Sequence, residues 1–89
     1  MKHLKLLISG KVQGVRYRAA AQEKAIALGL KGFAQNEANG DVYIEAEGNP
    51  AALAAFVSWC EVGPPLAKVH TVTVTEADWR GFSDFEIKR

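Results

Sequence analysis

The fold is decided by a stretch in the middle of the chain, residues 31–47, which reads KGFAQNEANGDVYIEAE. The dipeptide Asn39-Gly40 lies between two strand-like segments, and it is the strongest short signal for a tight β-hairpin. After the turn the apolar residues alternate with the others, as in a strand with one buried face: Val42, Ile44 and Ala46. The sequence therefore predicts a hairpin that joins a second strand, residues 31–37, to a third.

Upstream of the hairpin, the sequence predicts a strand followed by an amphipathic helix. The apolar residues on one face of the first strand are Leu4, Leu6, Ile8 and Val12. Leu7 breaks this alternation and predicts that the strand is covered on both faces at its centre. The helix is expected from about Tyr17 to Leu28, and Gly29 suits the left-handed residue that ends many helices.

Downstream of the hairpin, Asn49 and Pro50 predict the start of a second helix, with Asn as N-cap and Pro in the first turn. Residues 63–65, Gly-Pro-Pro, are expected to stop it. A strand rich in Val and Thr follows at residues 70–76, and a last short strand lies around residues 85–87. The order β-α-β-β-α-β with an added C-terminal strand predicts an α+β fold of the ferredoxin-like, split βαβ type, in which an antiparallel sheet carries both helices on one face.

Length and composition favour one globular domain over residues 1–89. Apolar residues make up 48% and charged residues 24% of the chain, which argues against a disordered or fibrous protein. A net charge of +1 argues against nucleic-acid binding, and the apolar run at residues 6–8 is too short to span a membrane. One cysteine provides no disulfide and is typical of a reducing compartment. We therefore expect a cytoplasmic monomer with no nucleic-acid or membrane partner.

The segment GKVQGVRYR, residues 10–18, predicts an anion site at the start of the first helix. Gly10 and Gly14 allow consecutive backbone N–H groups to point the same way, beside the positive end of the helix dipole. The segment after Val12 offers no Ser, Thr, Asp or Asn as N-cap, so its first N–H groups need water or a ligand. Arg18 adds a guanidinium for phosphate oxygens, whereas Arg16 is expected to face solvent. The alternative is a tight turn whose amides are hydrated.

Few other residues suggest catalysis. His3 and His70 lie on the first and fourth strands with no acid paired to them, and a structural or surface role is expected for both. Cys60 falls on the apolar stripe of the second helix and is expected to be buried. No His, Cys, Asp or Glu residues show metal-ligand spacing, so neither a metal nor a cofactor is expected. Asn36 is unusual within a strand, and either a local backbone bond or a function explains it.

Two long signatures resemble those of the acylphosphatase family. The first, G-x-V-Q-G-V with Arg three residues later, is present at residues 10–18, and an aliphatic residue precedes it. The second, G-aromatic-small-x-N followed by G-x-V and a later Gly, is present at residues 32–48. With the Gly-Pro-Pro turn and the ending Phe-Glu-Ile, the resemblance spans nearly the whole chain. The matched residues are Ile8, Gly10, Val12, Gln13, Gly14, Val15 and Arg18, then Gly32, Phe33, Ala34, Asn36, Gly40, Val42 and Gly48.

The resemblance implies a hydrolase that cleaves the carboxyl–phosphate bond of acyl phosphates to a carboxylate and inorganic phosphate, without metal or cofactor. It also implies the site residues. Arg18 and the loop amides hold the phosphoryl group, and Asn36 positions the attacking water. The implied phosphate-binding loop consists of Gln13, Gly14, Val15, Arg16, Tyr17 and Arg18. Inorganic phosphate is then expected to act as both product and inhibitor.

Two residues depart from the family pattern. Tyr17 stands where Phe is usual, and it is expected to be harmless if its hydroxyl finds a partner. Glu37 follows Asn36 where Thr is common, and it adds a negative charge near the anion site.

The alternative is a non-catalytic ferredoxin-like module that binds an anionic small molecule or RNA. An RNA-binding sheet of this topology should carry aromatic residues on its first and third strands in basic surroundings. The third strand has only Tyr43, close to Glu45 and Glu47, and the first strand has no aromatic residue. The sequence therefore argues against RNA binding.

Overall fold

A computed structural model describes all residues of the chain, 1–89. Its elements are β1 Lys2–Lys11, α1 Tyr17–Ala27, β2 Lys31–Asn36, β3 Val42–Gly48, α2 Pro50–Cys60, β4 Lys68–Ala77 and β5 Phe85–Lys88. The five strands form one sheet in the order β4-β1-β3-β2-β5. This arrangement confirms the ferredoxin-like α+β fold that the sequence predicts.

The last strand differs from the others in how it pairs. β1 pairs antiparallel with β3 and β4, and β2 pairs antiparallel with β3, as expected. β5 instead pairs parallel with β2, so the complete sheet is mixed. The chain leaves β4 at one edge of the sheet and crosses the end of the sheet through residues 78–84, the crossover segment. It then enters the opposite edge beside the first residues of β2, and both strands run in the same direction.

The hydrophobic core lies between the two helices and one face of the sheet. In β1 the predicted alternation is confirmed for Leu6 and Ile8, both of which are fully buried. Leu7 is 39% exposed, so the expected cover on both faces is wrong at this position. It lies on the open face, opposite Tyr43 and Thr73, where no helix packs. The buried core residues are Leu6, Ile8, Val12, Val15, Tyr17, Ala21, Ala25, Leu30, Ala34, Val42, Ile44, Ala46, Leu53, Phe56, Cys60 and Phe85.

The two helices begin differently, as the sequence predicts. In α2 the Asn49 side chain accepts a hydrogen bond from the N–H of Ala51, and Pro50 occupies the first turn. α1 begins at Tyr17 without any side-chain cap. It ends one residue before the predicted position, and Gly29 adopts the expected left-handed conformation with φ 74°. Only α1 therefore exposes a helix N-terminus without a capping side chain.

One buried carboxylate fastens the crossover segment to the open face of the sheet. Glu47 is 1% exposed and accepts hydrogen bonds from three consecutive backbone N–H groups, those of Arg80, Gly81 and Phe82. The bonds from Gly81 and Phe82 measure 2.9 Å. Consecutive amides that converge in this way form a site for negative charge, and here a side chain of the protein fills it.

His3 lies beside this carboxylate and is not isolated from acids. Its Nδ1 donates to the Asp78 carbonyl at 2.7 Å and lies 3.2 Å from Glu47, while its Nε2 lies 2.7 Å from Glu45. The expectation that His3 has no paired acid is therefore wrong, because β3 supplies both acids across the sheet. The expected structural role stands, and His70 is exposed, as expected of a surface residue.

Glu45 completes the buried polar cluster. Its second carboxylate oxygen accepts a hydrogen bond from the Tyr43 hydroxyl at 2.6 Å. Burial by itself raises the pKa of Glu45, but the hydrogen bonds from Tyr43 and His3, together with the charges of His3 and Lys5, lower the pKa of this carboxyl below its usual range. Of the two acids on β3, Glu47 thus holds the crossover segment directly, and Glu45 holds the Tyr43 and His3 side chains.

We expect Glu47→Gln to lower the free energy of unfolding by about 3 kcal/mol, the scale for breaking a buried, hydrogen-bonded charge. The amide offers one acceptor oxygen where three N–H groups now share two. Glu76→Gln is the control, because Glu76 is exposed and makes only a 3.4 Å ion pair with Lys2. It should cost less than about 0.5 kcal/mol. Urea unfolding measures both variants, and equal losses would contradict the role given to Glu47.

Candidate active site

Three separate parts of the chain meet in a cavity of about 370 Å³ at the N-terminal end of α1. They are the loop after β1, the end of β2 and the end of β5. The lining residues are Val12, Gln13, Gly14, Arg16, Tyr17, Arg18, Ala19, Asn36, Ile87 and Arg89. The structure therefore brings Arg18 and Asn36 to one cavity, together with most of the predicted loop. Val15 is the exception, because its side chain belongs to the core.

The loop backbone has the shape of an anion nest. Gly14 and Arg16 both adopt left-handed conformations, with φ 74° and 63°, and Arg16 is the one non-glycine residue with positive φ. Such a conformation is costly for a residue with a side chain and is concentrated at functional sites. Val15, between them, does not have a positive φ, so left-handed and ordinary residues alternate along the loop. This alternation turns successive N–H groups toward one point.

The N-terminus of α1 extends this set of donors. The first helical hydrogen bond runs from the N–H of Ala20 to the Arg16 carbonyl at 3.1 Å. The three preceding helical residues, 17–19, have no intrahelical acceptor for their N–H groups, and no side chain caps them. An anion at this position would be held by these N–H groups and by the helix dipole.

Arg18 is held in place by the last strand. Its Nη1 donates to the Lys88 carbonyl at 2.9 Å, which leaves four of its five N–H donors for a ligand. Gln22, one turn along α1, donates to the Phe85 carbonyl at 2.9 Å. The two bonds join α1 to β5, so the position of the guanidinium depends on the position of that strand.

Asn36 is the last residue of β2, and its side chain is on the same face of the sheet as the helices. It pairs with Val42, which pairs in turn with Ile8, so Asn36 lies level with the end of β1. The side-chain hydrogen bonds of the hairpin are made by Gln35 and Asn39. Asn36 itself is exposed at the cavity, and its amide is free to bind water or a ligand.

Gln13 connects the loop to the hairpin. Its Nε2 donates to the carbonyl groups of Glu37 and Asp41 at 2.8 and 2.9 Å. Both N–H bonds of the amide are thus used to hold the loop against the hairpin that carries Asn36. Sequence reasoning counted only the backbone N–H of Gln13 and missed this role of its side chain.

The two departures from the family pattern have separate explanations. The Tyr17 hydroxyl donates to the Cys60 carbonyl at 2.7 Å, so it has the expected partner, and burial raises its pKa. Glu37 accepts a hydrogen bond from Gln35 at 3.1 Å and does not line the cavity.

Cys60 is fully buried, as predicted, and burial raises its pKa to about 12.

Sequence reasoning also missed the contribution of the C-terminal strand. Ile87 and Arg89 line the cavity, although neither belonged to the predicted site. Arg16 was predicted as part of the loop with its side chain in solvent; it lines the cavity and is exposed. The ending Phe-Glu-Ile was the one available signal, and it predicted only a strand.

No group of three or more His, Cys, Asp or Glu side chains is arranged to hold a metal. No helix has the length and apolar character to cross a bilayer.

Comparison of the sequence with known proteins shows which family the chain belongs to. The family model for acylphosphatase matches residues 4–87. The chain belongs to the acylphosphatase family. It is 43% identical to an acylphosphatase from Methylococcus capsulatus over 90 aligned positions, which cover 100% of this chain and 98% of that protein.

Solved structures of acylphosphatases agree with this assignment. The crystal structure of acylphosphatase from Bacillus subtilis has a TM-score of 0.98 at 36% identity, with 100% of both chains covered. An acylphosphatase structure from Coxiella burnetii has a TM-score of 0.95 at 34% identity and covers 98% of this chain and 92% of that one. The predicted family, fold and acyl phosphate hydrolase activity are confirmed, and the non-catalytic alternative is not favoured.

We expect Gln13→Ala to lower kcat/KM about tenfold, because the loop and Asn36 lose their common support and small misplacements of catalytic groups are costly. The free energy of unfolding should fall by about 1–2 kcal/mol for the two lost hydrogen bonds. Gln35→Ala is the matched control, since that amide also bonds to Glu37 but lies outside the cavity. Benzoyl phosphate hydrolysis measures both. Equal activity in the two variants would contradict the supporting role of Gln13.

Proposed function

We propose that the chain hydrolyses acyl phosphates by attack of one water molecule on the phosphoryl group, with no metal ion. The observation that supports this most directly is that Arg18 and Asn36 line the same cavity at the uncapped start of α1. Water adds to phosphorus, the bond from phosphorus to the carboxyl oxygen breaks, and the products are a carboxylate and inorganic phosphate.

The loop and Arg18 hold the phosphoryl group in this mechanism. The nest around Gly14 and the free N–H groups of residues 17–19 supply donors in one direction. Arg18 supplies a planar fork whose orientation is set by its bond to Lys88. Phosphoryl transfer passes through a loose transition state, so these donors stabilise the charge that is spread over the phosphoryl oxygens.

Asn36 is assigned to the attacking water. A neutral amide offers both an acceptor oxygen and N–H donors, so it orients a water molecule without repelling the phosphate. The assignment is supported by its position at the end of β2, where it lines the same cavity as the loop.

The reaction needs no strong general base. The leaving group is a carboxylate, which is stable at neutral pH, and a loose transition state asks little of the nucleophile. No histidine lines the cavity: His3 is buried under the crossover segment, and His70 lies exposed on β4. Positioning and charge stabilisation are therefore the main contributions of the protein.

We further infer that the chain acts as a monomer in the cytoplasm. The support is its nearly balanced charge of +1 and its one cysteine, which is free and buried and fits a reducing compartment. A molar mass in solution near 9.7 kDa is the measurement that tests the monomer.

Inorganic phosphate should inhibit competitively and raise the melting temperature, because it occupies the nest and caps α1. At one hundred times its dissociation constant, phosphate should add about 2.7 kcal/mol of stability. The assay is hydrolysis of benzoyl phosphate in excess chelator, paired with a thermal melt. Absence of a thermal shift at inhibiting concentrations would place the anion elsewhere. Activity that is lost in chelator and restored by magnesium would overturn the mechanism.

Substitutions of Arg18 and Asn36 should have different kinetic signatures. Arg18 contacts the phosphoryl group throughout, so Arg18→Ala should raise KM and the phosphate inhibition constant as well as lower kcat. Arg18→Lys should restore little, because an ammonium does not replace the planar fork. Asn36→Ala should lower kcat at least about 10²-fold, the scale for one positioned donor, while phosphate affinity stays within about threefold.

Asn36→Asp serves as the partner variant for the water-positioning role. It keeps the size of the side chain but places a carboxylate near the incoming anion, so it should be as inactive as Asn36→Ala and bind phosphate less well. Thermal melts check that all variants fold, which is expected because neither side chain belongs to the core. Near-normal kcat in Asn36→Ala with a collapse of phosphate affinity would reverse the assigned roles.

A further inference from the structure

The turn between β2 and β3 contains a chemically reactive pair of residues, Asn39 and Gly40. An asparagine that precedes a glycine is prone to lose its side-chain ammonia, because the glycine places no side chain in the way of its own nitrogen. Asn39 is exposed and Gly40 is partly exposed. A Cβ at Gly40 would meet no atom within 4 Å, so the surroundings of the pair are open.

The Asn39 side chain is bent back over the peptide group that follows it. Its Oδ1 accepts a hydrogen bond from the N–H of Asp41 at 3.1 Å, and its Nδ2 donates to the Asp41 carboxylate at 3.3 Å. The Gly40 nitrogen is one of the atoms in the ring that the first bond closes, so this nitrogen and the amide carbon of Asn39 are kept close together. The Asp41 N–H also stabilises negative charge that develops on Oδ1 when a nucleophile adds to the amide carbon.

The Gly40 nitrogen is held only weakly by the rest of the hairpin. Its N–H donates to the Glu37 carbonyl at 3.2 Å, which is the long end of the usual range. The N–H of Glu37 donates to the Asp41 carbonyl at 2.8 Å, and this shorter bond closes the hairpin below the turn. Release of the Gly40 N–H therefore leaves the base of the hairpin paired.

The other two asparagines of the chain lack one of these features. Asn49 precedes Pro50, whose nitrogen carries no hydrogen and cannot attack the amide. Asn36 precedes Glu37, which has a side chain and whose N–H is held in the hairpin at 2.8 Å. Asn36 and Asn49 are therefore internal comparisons for Asn39.

We propose that Asn39 is a site of spontaneous deamidation in the folded protein. The Gly40 nitrogen forms a bond to Cγ of Asn39, the bond from Cγ to Nδ2 breaks, and Nδ2 leaves as ammonia with the proton that the Gly40 nitrogen gives up. Water then opens the cyclic imide at either of its carbonyl groups. One opening leaves aspartate at position 39, and the other leaves isoaspartate, in which the main chain runs through the former side chain.

The isoaspartate product should disturb the candidate active site through Gln13. The Gln13 amide donates to the carbonyl groups of Glu37 and Asp41, which lie on either side of position 39. Isoaspartate adds a methylene group to the main chain between these two acceptors, whereas aspartate leaves the main chain unchanged. The effect on activity rests on the proposed function, but the deamidation itself does not.

The experiment incubates the folded protein at mildly alkaline pH and follows ammonia release, the modified peptides and benzoyl phosphate hydrolysis in the same samples. Peptide chromatography with mass detection separates the aspartate and isoaspartate products. We expect deamidation at Asn39 to be at least about tenfold faster than at Asn36 or Asn49, since only the Asn39 amide is held next to a glycine nitrogen. The isoaspartate form should have a kcat/KM about tenfold below that of the unmodified protein.

Asn39→Ser is the matched control, because its hydroxyl can accept from the Asp41 N–H but has no ammonia to lose. Its activity should begin near that of the wild type and survive the incubation. Asn39→Asp reproduces the aspartate product and should keep kcat/KM within about threefold of the wild type.

The outcomes separate the modification from the proposed function. Deamidation at Asn39 that is no faster than at Asn36 would overturn the modification site, whatever the activity of the protein. Equal loss of activity in the wild type and Asn39→Ser would overturn the link through Gln13. A protein that deamidates at Asn39 but never hydrolyses benzoyl phosphate would contradict the proposed function and support the modification site.

Discussion

The contact between the Glu47 carboxylate and the backbone of the crossover segment supports a chain of contacts that ends at the candidate active site. The carboxylate binds three consecutive N–H groups and so holds the segment that leads into β5. β5 then pairs with β2, and its Lys88 carbonyl accepts the hydrogen bond that orients Arg18. A buried acid at one end of the sheet therefore helps to position a guanidinium at the other.

The site itself is built from features that reduce local stability. α2 has an ordinary side-chain cap, whereas α1 has none, and Arg16 holds a backbone conformation that favours glycine. The Asn36 amide is exposed, although most polar groups of the hairpin around it are bonded to one another. An uncapped helix, a strained backbone and an unbonded amide are expected where a ligand supplies the hydrogen bonds that the protein itself does not make. Here they coincide in one cavity, and a phosphate would satisfy several of them together.

The rest of the fold compensates for this local cost. Gln13 ties the loop to the hairpin, the Tyr17 hydroxyl bonds to the end of α2, and Gln22 joins α1 to β5. Each bond links an element of the site to a part of the chain that is distant in sequence. In the proposed mechanism catalysis depends on positioning more than on acid–base chemistry, so such cross-links matter more than the reactivity of any one side chain.

The sequence by itself determined the elements and the family, and it indicated Arg18 and Asn36, which the structure brings to one cavity. Each local feature depends on residues within a few positions of one another, so a short stretch of sequence is enough to predict it. These features are the hairpin, the helix periodicity, the N-cap and the anion loop. Only the tertiary structure decided the partners of His3, the side-chain role of Gln13 and the presence of Arg89 in the cavity. His3 is separated from Glu45 by 42 residues and Arg18 from Lys88 by 70. The order of strands in the sheet sets these contacts, and no local pattern records that order.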